Sequence, residues 1–374
     1  MRITKSIIII VVMLIVTLSL FLVALECRWN GKTSPKTFVG VEFAYGDAND
    51  CKRLVDKVKN FTNLLIVGLP ELTFNQTQLN EICDYIYASG LHFIVMFTNP
   101  QSYITYHPYV WIMKASEKYN ERFLGVYYYD EPGGKQLDGG VGRMVVEAEN
   151  YTEAANIYVN YLRAHIEYYT YTRVNVFTSD YGLYWFDYKA GYDVVLIQFG
   201  WNHSKPLNIA LCRGAANAYG KDWGVVITWT FTSPPYLASG EELYNDLVLA
   251  YKAGAKFLVV FSYPRITPYG TLTEEHFEAL EKFWNYVQQN PWDHGVYKGE
   301  VGYVLPKDFG FGFRGANDTV WGLWHDNAFT KKIWNYSQAY LQKYQLKLDI
   351  LYDDEVLSDQ IKGRYKKLIW WNEP

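Results

Sequence analysis

The sequence predicts an α/β protein in three parts. These are one N-terminal transmembrane helix, a (β/α)₈ TIM barrel over residues 37–291 and a small α/β domain over residues 295–374. The barrel is predicted because strand and helix patterns alternate eight times. The strands are short, apolar throughout and rich in Val, Ile, Phe and Tyr, as is typical of strands buried on both faces. The length also matches such a barrel, which takes about 250 residues. An open doubly wound sheet is the alternative architecture.

The amino terminus predicts a membrane-spanning segment within residues 1–27. Arg2 and Lys5 precede Ile7–Leu25, an apolar run of 19 residues interrupted by one Thr and one Ser. A helix of that length rises roughly 28 Å, about the thickness of the hydrocarbon core of a bilayer. No small-x-small cleavage site follows, so we expect an uncleaved signal-anchor with the rest of the chain outside the cell. Cleavage and secretion is the alternative, and residues 28–36 form a polar linker.

Two further features favour an extracellular location. The chain contains six Asn-x-Ser/Thr sequons, which are candidate N-glycosylation sites, at Asn60, Asn75, Asn150, Asn202, Asn317 and Asn335. Its four cysteines include no Cys-x-x-Cys pair, which argues against a metal cluster. Cys51 and Cys83 fall on the first two predicted helices, where they either form a disulfide or remain buried thiols.

Composition favours carbohydrate over nucleic acid as a partner. The net charge is −4, and no basic stripe or arginine-rich run is present. The 34 tyrosines and 13 tryptophans offer flat apolar faces with a polar edge, which suits stacking on sugar rings, although most of them must serve packing. The histidines are scattered and no G-x-S-x-G motif occurs, so neither a zinc site nor an acyl-transfer serine is predicted. We expect no cofactor.

The predicted barrel elements follow in regular order, each strand a short run of β-branched and aromatic residues. The strands are Phe38–Tyr45, Asn63–Gly68, Leu91–Phe97, Phe123–Tyr128, Asn175–Thr178, Asp193–Phe199, Trp223–Thr230 and Lys256–Tyr263. Helices with an apolar face follow at about Asn49–Phe61, Gln76–Ser89, Val110–Tyr119, Thr152–Tyr169, Pro206–Tyr219, Glu241–Ala253 and Glu274–Gln289. The segment after the fifth strand is only weakly helical, and Gly133–Gly142 is expected to be a glycine-rich excursion. Asn290-Pro291 stops the last helix.

The tail repeats the alternation on a smaller scale. Its predicted strands are Val301–Leu305, Leu346–Tyr352 and Lys367–Trp371, with helices at about Phe329–Tyr344 and Val356–Lys362. This order predicts half of a doubly wound domain with a parallel sheet. A unit of this size is small to fold alone, so we expect it to pack on the barrel.

The fourth strand carries the strongest candidate for chemistry. It runs into Asp130 and Glu131, and Pro132 then ends the hydrogen-bonded ladder. Barrel enzymes place their functional groups at the carboxyl ends of the strands. We therefore predict Glu131 as a general acid with Asp130 beside it, the alternative being an acidic loop without a catalytic role. The other strand ends supply candidate site residues: Glu42, Tyr45, Asn99, Asp180, Gln198, Trp201, Trp229 and Tyr263.

Two carboxyl groups and aromatic walls are what glycoside hydrolysis requires. The order of elements, together with Asp130-Glu131-Pro132, resembles the glycoside-hydrolase barrels of the large clan that carries Asn-Glu-Pro after strand four. The resemblance implies the acid/base role for Glu131. That clan keeps its nucleophile Glu after strand seven, where this chain has Trp229 and no acid. We expect the second carboxylate to be Asp180, or otherwise Glu42, which could instead be a paired residue of the barrel floor.

The tail resembles the flavodoxin-like domain that follows the barrel in some bacterial β-galactosidases, through its YVLPKD, WGLW, IW and LDILYDD segments. The resemblance implies a role in assembly and none in chemistry. The sequence as a whole predicts a cell-surface glycoside hydrolase that acts on an extracellular glycan. The alternative is a non-catalytic surface glycoprotein, with a degenerate barrel that binds glycans or builds the cell envelope; the missing strand-seven acid favours it.

Overall fold

The computed structural model describes residues 37–97, 104–140, 142–232 and 235–373. Residues 37–374 form one compact unit. Eight parallel strands close into a barrel, so the predicted barrel is confirmed and the open sheet is not found. The barrel strands are β1 (Phe38–Phe43), β2 (Leu64–Val67), β3 (His92–Phe97), β4 (Phe123–Tyr128), β5 (Asn175–Asp180), β6 (Val194–Phe199), β7 (Asp222–Ile227) and β10 (Phe257–Phe261).

Helices surround the barrel and connect its strands. They are α1 (Ala48–Val58), α2 (Gln76–Ala88), α3 (Pro108–Tyr119), α4 (Pro132–Asp138), α5 (Tyr151–Thr170), α6 (Tyr184–Ala190), α7 (Lys205–Tyr219), α8 (Gly240–Lys252) and α9 (Glu274–Gln289). Two short strands, β8 (Phe231–Thr232) and β9 (Pro235–Tyr236), form a hairpin after β7.

Each barrel strand presents one face to the barrel interior and the other to the helices. The interior holds a small apolar cluster that includes Phe38, Tyr127, Phe177 and Leu196. A larger core lies between strands and helices. Cys51 and Cys83 are buried as free thiols, so the structure contains no disulfide between them.

The segment after β4 differs from the prediction. Gly133 and Gly134 belong to the helix α4, although a glycine-rich excursion was expected there. Both glycines are needed because a Cβ on Gly133 would lie 2.4 Å from the carbonyl oxygen of Gly182, and one on Gly134 would lie 2.1 Å from the Tyr181 ring. Close packing of the backbone therefore selects glycine here in spite of its poor helix propensity.

The tail forms a parallel three-stranded sheet in which Val301–Leu305 is the central strand, between Leu348–Tyr352 and Lys367–Trp370. Its elements are β11 (Val301–Leu305), α10 (Ala328–Tyr344), β12 (Leu348–Tyr352), α11 (Asp359–Lys362) and β13 (Lys367–Trp370). The sheet packs on α7, where a Cβ on Gly214 would lie 2.3 Å from the carbonyl oxygen of Ile350. A buried ion pair, Arg213 Nε to Asp349 Oδ1 at 2.7 Å, joins the same two elements.

The predicted fold class needs one correction. Among the described residues, none of the helices is long and apolar enough to cross a membrane, so the predicted transmembrane helix is not supported. Even the 20-residue helix α5 carries Glu153, Arg163 and Glu167, which a bilayer core would not tolerate. The stretch assigned to that helix, residues 1–27, and the linker 28–36 lie outside the described residues.

Candidate active site

A cavity of about 490 Å³ opens at the carboxyl ends of the barrel strands. Most of its floor comes from residues that lie on the inward face of a strand or directly after its end. Seven residues share this placement: Glu42, Gly68, Met96, Ser179, Gln198, Thr228 and Phe261. Asp130 and Glu131 enter from the loop after β4. Of the predicted site residues, the structure thus brings Glu42, Asp130, Glu131 and Gln198 into one cavity, together with Trp201, Trp229 and Tyr263.

The loop after β4 holds its two acids in an unusual backbone conformation. Tyr129 and Glu131 have φ values of 62° and 54°, in the left-handed region that non-glycine residues rarely adopt. Such strain costs on the order of 1–3 kcal/mol per residue and is found preferentially at functional sites. Here it turns both Asp130 and Glu131 towards the cavity, although they are neighbours in sequence.

A hydrogen-bond network links the acids to the polar residues of the floor. The hydroxyls of Tyr127 and Ser179 both donate to Asp130 Oδ1. Gln198 Nε2 donates to Glu131 Oε1 at 2.7 Å and to Ser179 Oγ at 3.0 Å. Asp130 is therefore held by the Tyr127 and Ser179 hydroxyls, and Glu131 by the Gln198 amide. Gln198 also donates to Ser179, so the two sets of donors are connected and fix both carboxyl groups before any ligand binds.

Burial and mutual repulsion alter the acidity of this cluster. Burial, followed by repulsion from Asp130 and Glu131, raises the pKa of Glu42 to about 8. Burial and the Asp130 carboxylate raise the pKa of Glu131 to about 7, against the opposing hydrogen bond from Gln198. The cluster therefore retains a proton near neutral pH, which a general acid must do.

The opposite wall of the cavity is aromatic. Trp201 and Trp229 meet edge to face with ring centroids 5.6 Å apart, and Tyr263 lies 5.9 Å from Trp229. Trp229 Nε1 donates to the carbonyl oxygen of Tyr263 at 2.5 Å, which fixes its indole. Trp201 is 37% exposed and has a positive φ, so its ring is held out at the rim. These faces can stack on a sugar ring.

Asp180, the first choice for the second carboxylate, does not line the cavity. It is fully buried at the end of β5, on the strand face that points to the helices. Its carboxylate accepts the backbone N–H groups of Gly133 and Gly134 at 2.5 and 2.8 Å, and that of Tyr181 at 2.7 Å. It anchors the first turn of α4, directly after the strained acidic loop.

A second buried acid stands behind Asp180. Burial and repulsion from Asp180 raise the pKa of Asp187 well above its ordinary range, and Asp187 Oδ1 accepts a hydrogen bond from Tyr158 at 2.7 Å. We place the shared proton on Asp187, because the backbone N–H groups around Asp180 favour its ionised form. The pair therefore belongs to the scaffold of the site.

The tail contacts α4, the helix that directly follows the acidic loop after β4. Gln136 on α4 is fully buried, and its amide donates to the carbonyl oxygens of Val145 and Trp321 at 3.0 and 2.8 Å. Arg314 forms ion pairs with Asp138 at the end of α4 and with Asp318. The tail therefore holds α4, the helix that follows Glu131, through a hydrogen bond and an ion pair, and these link the tail to the site.

Two other predicted residues are not part of the described cavity. Tyr45 is buried against Phe43 on the helix side of β1, and its hydroxyl donates to the carbonyl oxygen of Pro268. Asn99 lies outside the described residues. The prediction missed Tyr127, Ser179 and the rim residue Glu71. Tyr127 and Ser179 each stand on an inward face, which the sequence of a strand that is apolar on both faces does not reveal. Among the described residues, no group of His, Cys, Asp and Glu is arranged to hold a metal ion.

Comparison with known proteins gives the fold and little more. No family model matches the chain, and no curated protein matches it. Among solved structures, α-L-fucosidase isoenzyme 2 from Paenibacillus thiaminolyticus aligns with a TM-score of 0.52 and 12% identity, over 89% of this chain and 59% of that one. The β-mannanase of the blue mussel Mytilus edulis aligns with a TM-score of 0.46 and 9% identity, over 69% of this chain and 93% of that one.

The barrel therefore has the same overall fold as that α-L-fucosidase. At such identities the similarity shows a shared fold alone, and one barrel fold supports many reactions. The solved structures give no confirmation of a flavodoxin-like tail domain.

Proposed function

We propose that this protein is a glycoside hydrolase that acts on a glycan bound in the barrel cavity. One observation carries the proposal: four carboxyl groups, two with raised pKa values, line a cavity that also has a wall of indole and phenol rings. Hydrolysis of a glycosidic bond needs one protonated and one ionised carboxyl group beside a sugar ring. The similarity of the fold to that of a fucosidase is consistent with this proposal.

In the proposed reaction, Glu131 donates a proton to the leaving oxygen. It lies at the rim, is only partly buried and is oriented by Gln198, so it can reach a bound glycan. Its pKa of about 7 keeps a large fraction protonated at neutral pH. The shared proton of a coupled cluster belongs to the group as a whole, so the position of Glu131 decides its role.

Glu42 is the proposed second carboxylate and replaces Asp180 in that role. It stands on β1, which is separated from β4 by β2 and β3, so it approaches the cavity from nearly the opposite side of the barrel. Glu42 has the higher pKa of the two in the free protein, so the reaction requires a bound glycan to place the shared proton on Glu131. The ionised Glu42 can then attack the anomeric carbon or activate a water molecule. Asp130 keeps its fixed position between the two through Tyr127 and Ser179.

We also propose that the protein works outside the cell and carries N-glycans. All six sequon asparagines are exposed, so each is accessible to modification. Mass spectrometry of protein from its native source, before and after enzymatic deglycosylation, tests this proposal. An unmodified mass at all six sites contradicts it.

A second function has one observation in its favour. The end of β7 leads into Thr228, Trp229 and Thr230, so the strand that supplies the nucleophile in the resembled clan has no acid here. A barrel that retained its aromatic wall but lost turnover would bind glycans without cleaving them. This alternative predicts glycan binding by the wild-type protein with no product.

An assay of hydrolysis by the whole chain distinguishes the proposed glycoside hydrolase from a protein that only binds glycans. We expect the wild-type protein to release product from at least one member of a panel of aryl glycosides and polysaccharides. Glu131→Gln should abolish release while still binding the same glycan. The matched control is Glu121→Gln, an exposed glutamate before β4 at the other end of the barrel, which should behave as wild type. Unchanged hydrolysis by the Glu131 variant removes that residue from the mechanism.

A further inference from the structure

The ionisable groups that line the cavity in the described part of the chain include acids but no basic residues. Four of its lining residues are acidic, namely Glu42, Glu71, Asp130 and Glu131, and no Lys, Arg or His lines it among the described residues. Lys135, which follows the acidic loop, directs its ammonium group to the backbone carbonyl oxygen of Asp130. A cleft lined by charge of one sign concentrates ligands of the opposite sign.

One of these acids lacks a partner. Glu42 is only 6% exposed, yet within the described ranges its carboxyl group accepts no hydrogen bond and faces no cation. By contrast, Asp130 is held by two hydroxyls and Glu131 by the Gln198 amide. Buried polar groups normally have a hydrogen-bond partner. The described residues leave the place beside the Glu42 carboxyl group to a ligand, and a cationic ligand would favour the ionised form of that group over the protonated one.

The mouth of the cavity extends the same charge. Glu71 follows β2 on the turn Pro70–Thr73, is exposed, and pairs with no cation in the described part of the chain. Across the opening stand Trp201 and Trp229, whose ring faces attract cations as well as sugar rings. An acidic side and an indole side together suit a ligand that is both cationic and a carbohydrate.

We infer that the cavity binds a glycan with protonated amino groups, that is, a polymer of amino sugars whose nitrogen is not acetylated. The inference rests on the proposed function, since it assumes that a sugar occupies the cavity. An ammonium group supplies the missing partner of Glu42, and an amino group on the next sugar unit lies beside Glu71. Uronic acids and sialic acids are disfavoured, because their carboxylates would face four acids with no compensating cation.

Binding of matched oligosaccharides by the full chain tests this inference separately from catalysis. The probes are glucosamine and galactosamine oligomers with free amines, their fully N-acetylated counterparts, and uronic acid oligomers of the same length. By calorimetry at pH 6 and low salt, we expect at least one free-amine oligomer to bind roughly tenfold more tightly than its acetylated partner. The preference should fall in about 1 M salt, where the Debye length is about 3 Å.

Two variants localise the effect. Glu42→Gln preserves shape and should reduce the preference for the amine, and Glu71→Gln, on an exposed side chain, should reduce it without any change in folding. Glu121→Gln is the control. Equal affinity within every amine and acetamide pair, or tighter binding of uronic acids, overturns the inference. Amine-selective binding without hydrolysis refutes only the proposed function, whereas hydrolysis of neutral glycans without amine preference refutes only the inference.

Discussion

Glu131 lies just after β4 and Asp180 is the last residue of the neighbouring strand β5, yet the two acids have opposite surroundings. Glu131 faces a cavity, accepts one side-chain hydrogen bond and repels other carboxylates. Asp180 faces the helices and accepts the backbone N–H groups of two residues of α4 and of Tyr181 within 2.8 Å. Burial raises the pKa of both groups to about 7, against the backbone donors in the case of Asp180. The first arrangement therefore leaves an acid within reach of a ligand, and the second uses the carboxyl group to fix a backbone turn.

The difference arises from strand alternation. Phe177 and Ser179 point into the barrel, so Asp180, one residue further along β5, must point outward. Glu131 escapes this constraint because the left-handed Tyr129 and Glu131 turn the chain inward after β4 ends. An acid at a strand end is therefore a candidate for catalysis only if its side faces the barrel.

The largest expected effect tests the cavity side of the comparison. We expect the wild-type kcat/KM to fall as the pH rises above the Glu131 pKa of about 7, since the donated proton is then lost. Glu131→Gln should lower kcat/KM by about 10³-fold, as removal of a general acid does. The measurement is hydrolysis of the best aryl glycoside from pH 4 to 9. If kcat/KM of the Glu131→Gln variant still falls above pH 7 as it does in the wild type, another group donates the proton.

Substitution of Asp180, the acid that faces the helices, should change the stability of the fold. Asp180→Asn offers one carbonyl oxygen in place of two, so buried N–H groups of α4 lose their acceptor. We expect the free energy of unfolding to fall by about 3 kcal/mol in urea denaturation. If Asp180→Asn unfolds like wild type yet lacks activity, Asp180 takes part in the chemistry after all.

Burial of Glu42 in the cavity should make the free energy of unfolding depend on pH. Its pKa is raised from 4.5 to about 8, so between these pH values the folded state holds a proton that the unfolded state has released. Stability must therefore fall as the pH rises through this range. We expect Glu42→Gln to match wild type near pH 4 and to be more stable on the order of 3 kcal/mol at pH 8. A difference that does not vary with pH would mean that Glu42 is not buried as a titrating acid.

The aromatic wall should affect binding alone. Trp201 is exposed at the rim and fills no core space, so Trp201→Ala should weaken glycan affinity by about fivefold with unchanged thermal unfolding. Exposed Trp292, on the turn Pro291–Asp293 and away from the cavity lining, provides the matched control as Trp292→Ala. Equal effects of the two substitutions would argue against stacking at Trp201.

The smallest effect is expected at the neutral member of the buried pair. If Asp187 carries the shared proton, Asp187→Asn replaces a neutral acid by a neutral amide. The free energy of unfolding should change by less than about 1 kcal/mol at pH 7, in contrast to Asp180→Asn. A loss as large as that of Asp180→Asn would place the proton on Asp180.

Local signals in the sequence were sufficient for the barrel and for part of the site. Runs of Val, Ile, Phe and Tyr located every barrel strand, and polar residues at the strand ends identified seven residues that line the cavity: Glu42, Asp130, Glu131, Gln198, Trp201, Trp229 and Tyr263. Helix α4 was missed because its glycines are selected by close packing against Tyr181 and Gly182, which no local propensity records.

The sequence by itself determined which segments are strands, with their ends only approximately placed, and which acids stand near their carboxyl ends. Only the tertiary structure decided which acids face the cavity. In a parallel barrel both faces of each strand are apolar, one towards the interior cluster and one towards the helices, so hydrophobic pattern cannot assign the inward face. A shift of one residue exchanges the two faces, and closure of the barrel fixes that choice. Glu42 thereby enters the site, while Asp180 becomes an anchor for the loop beside it.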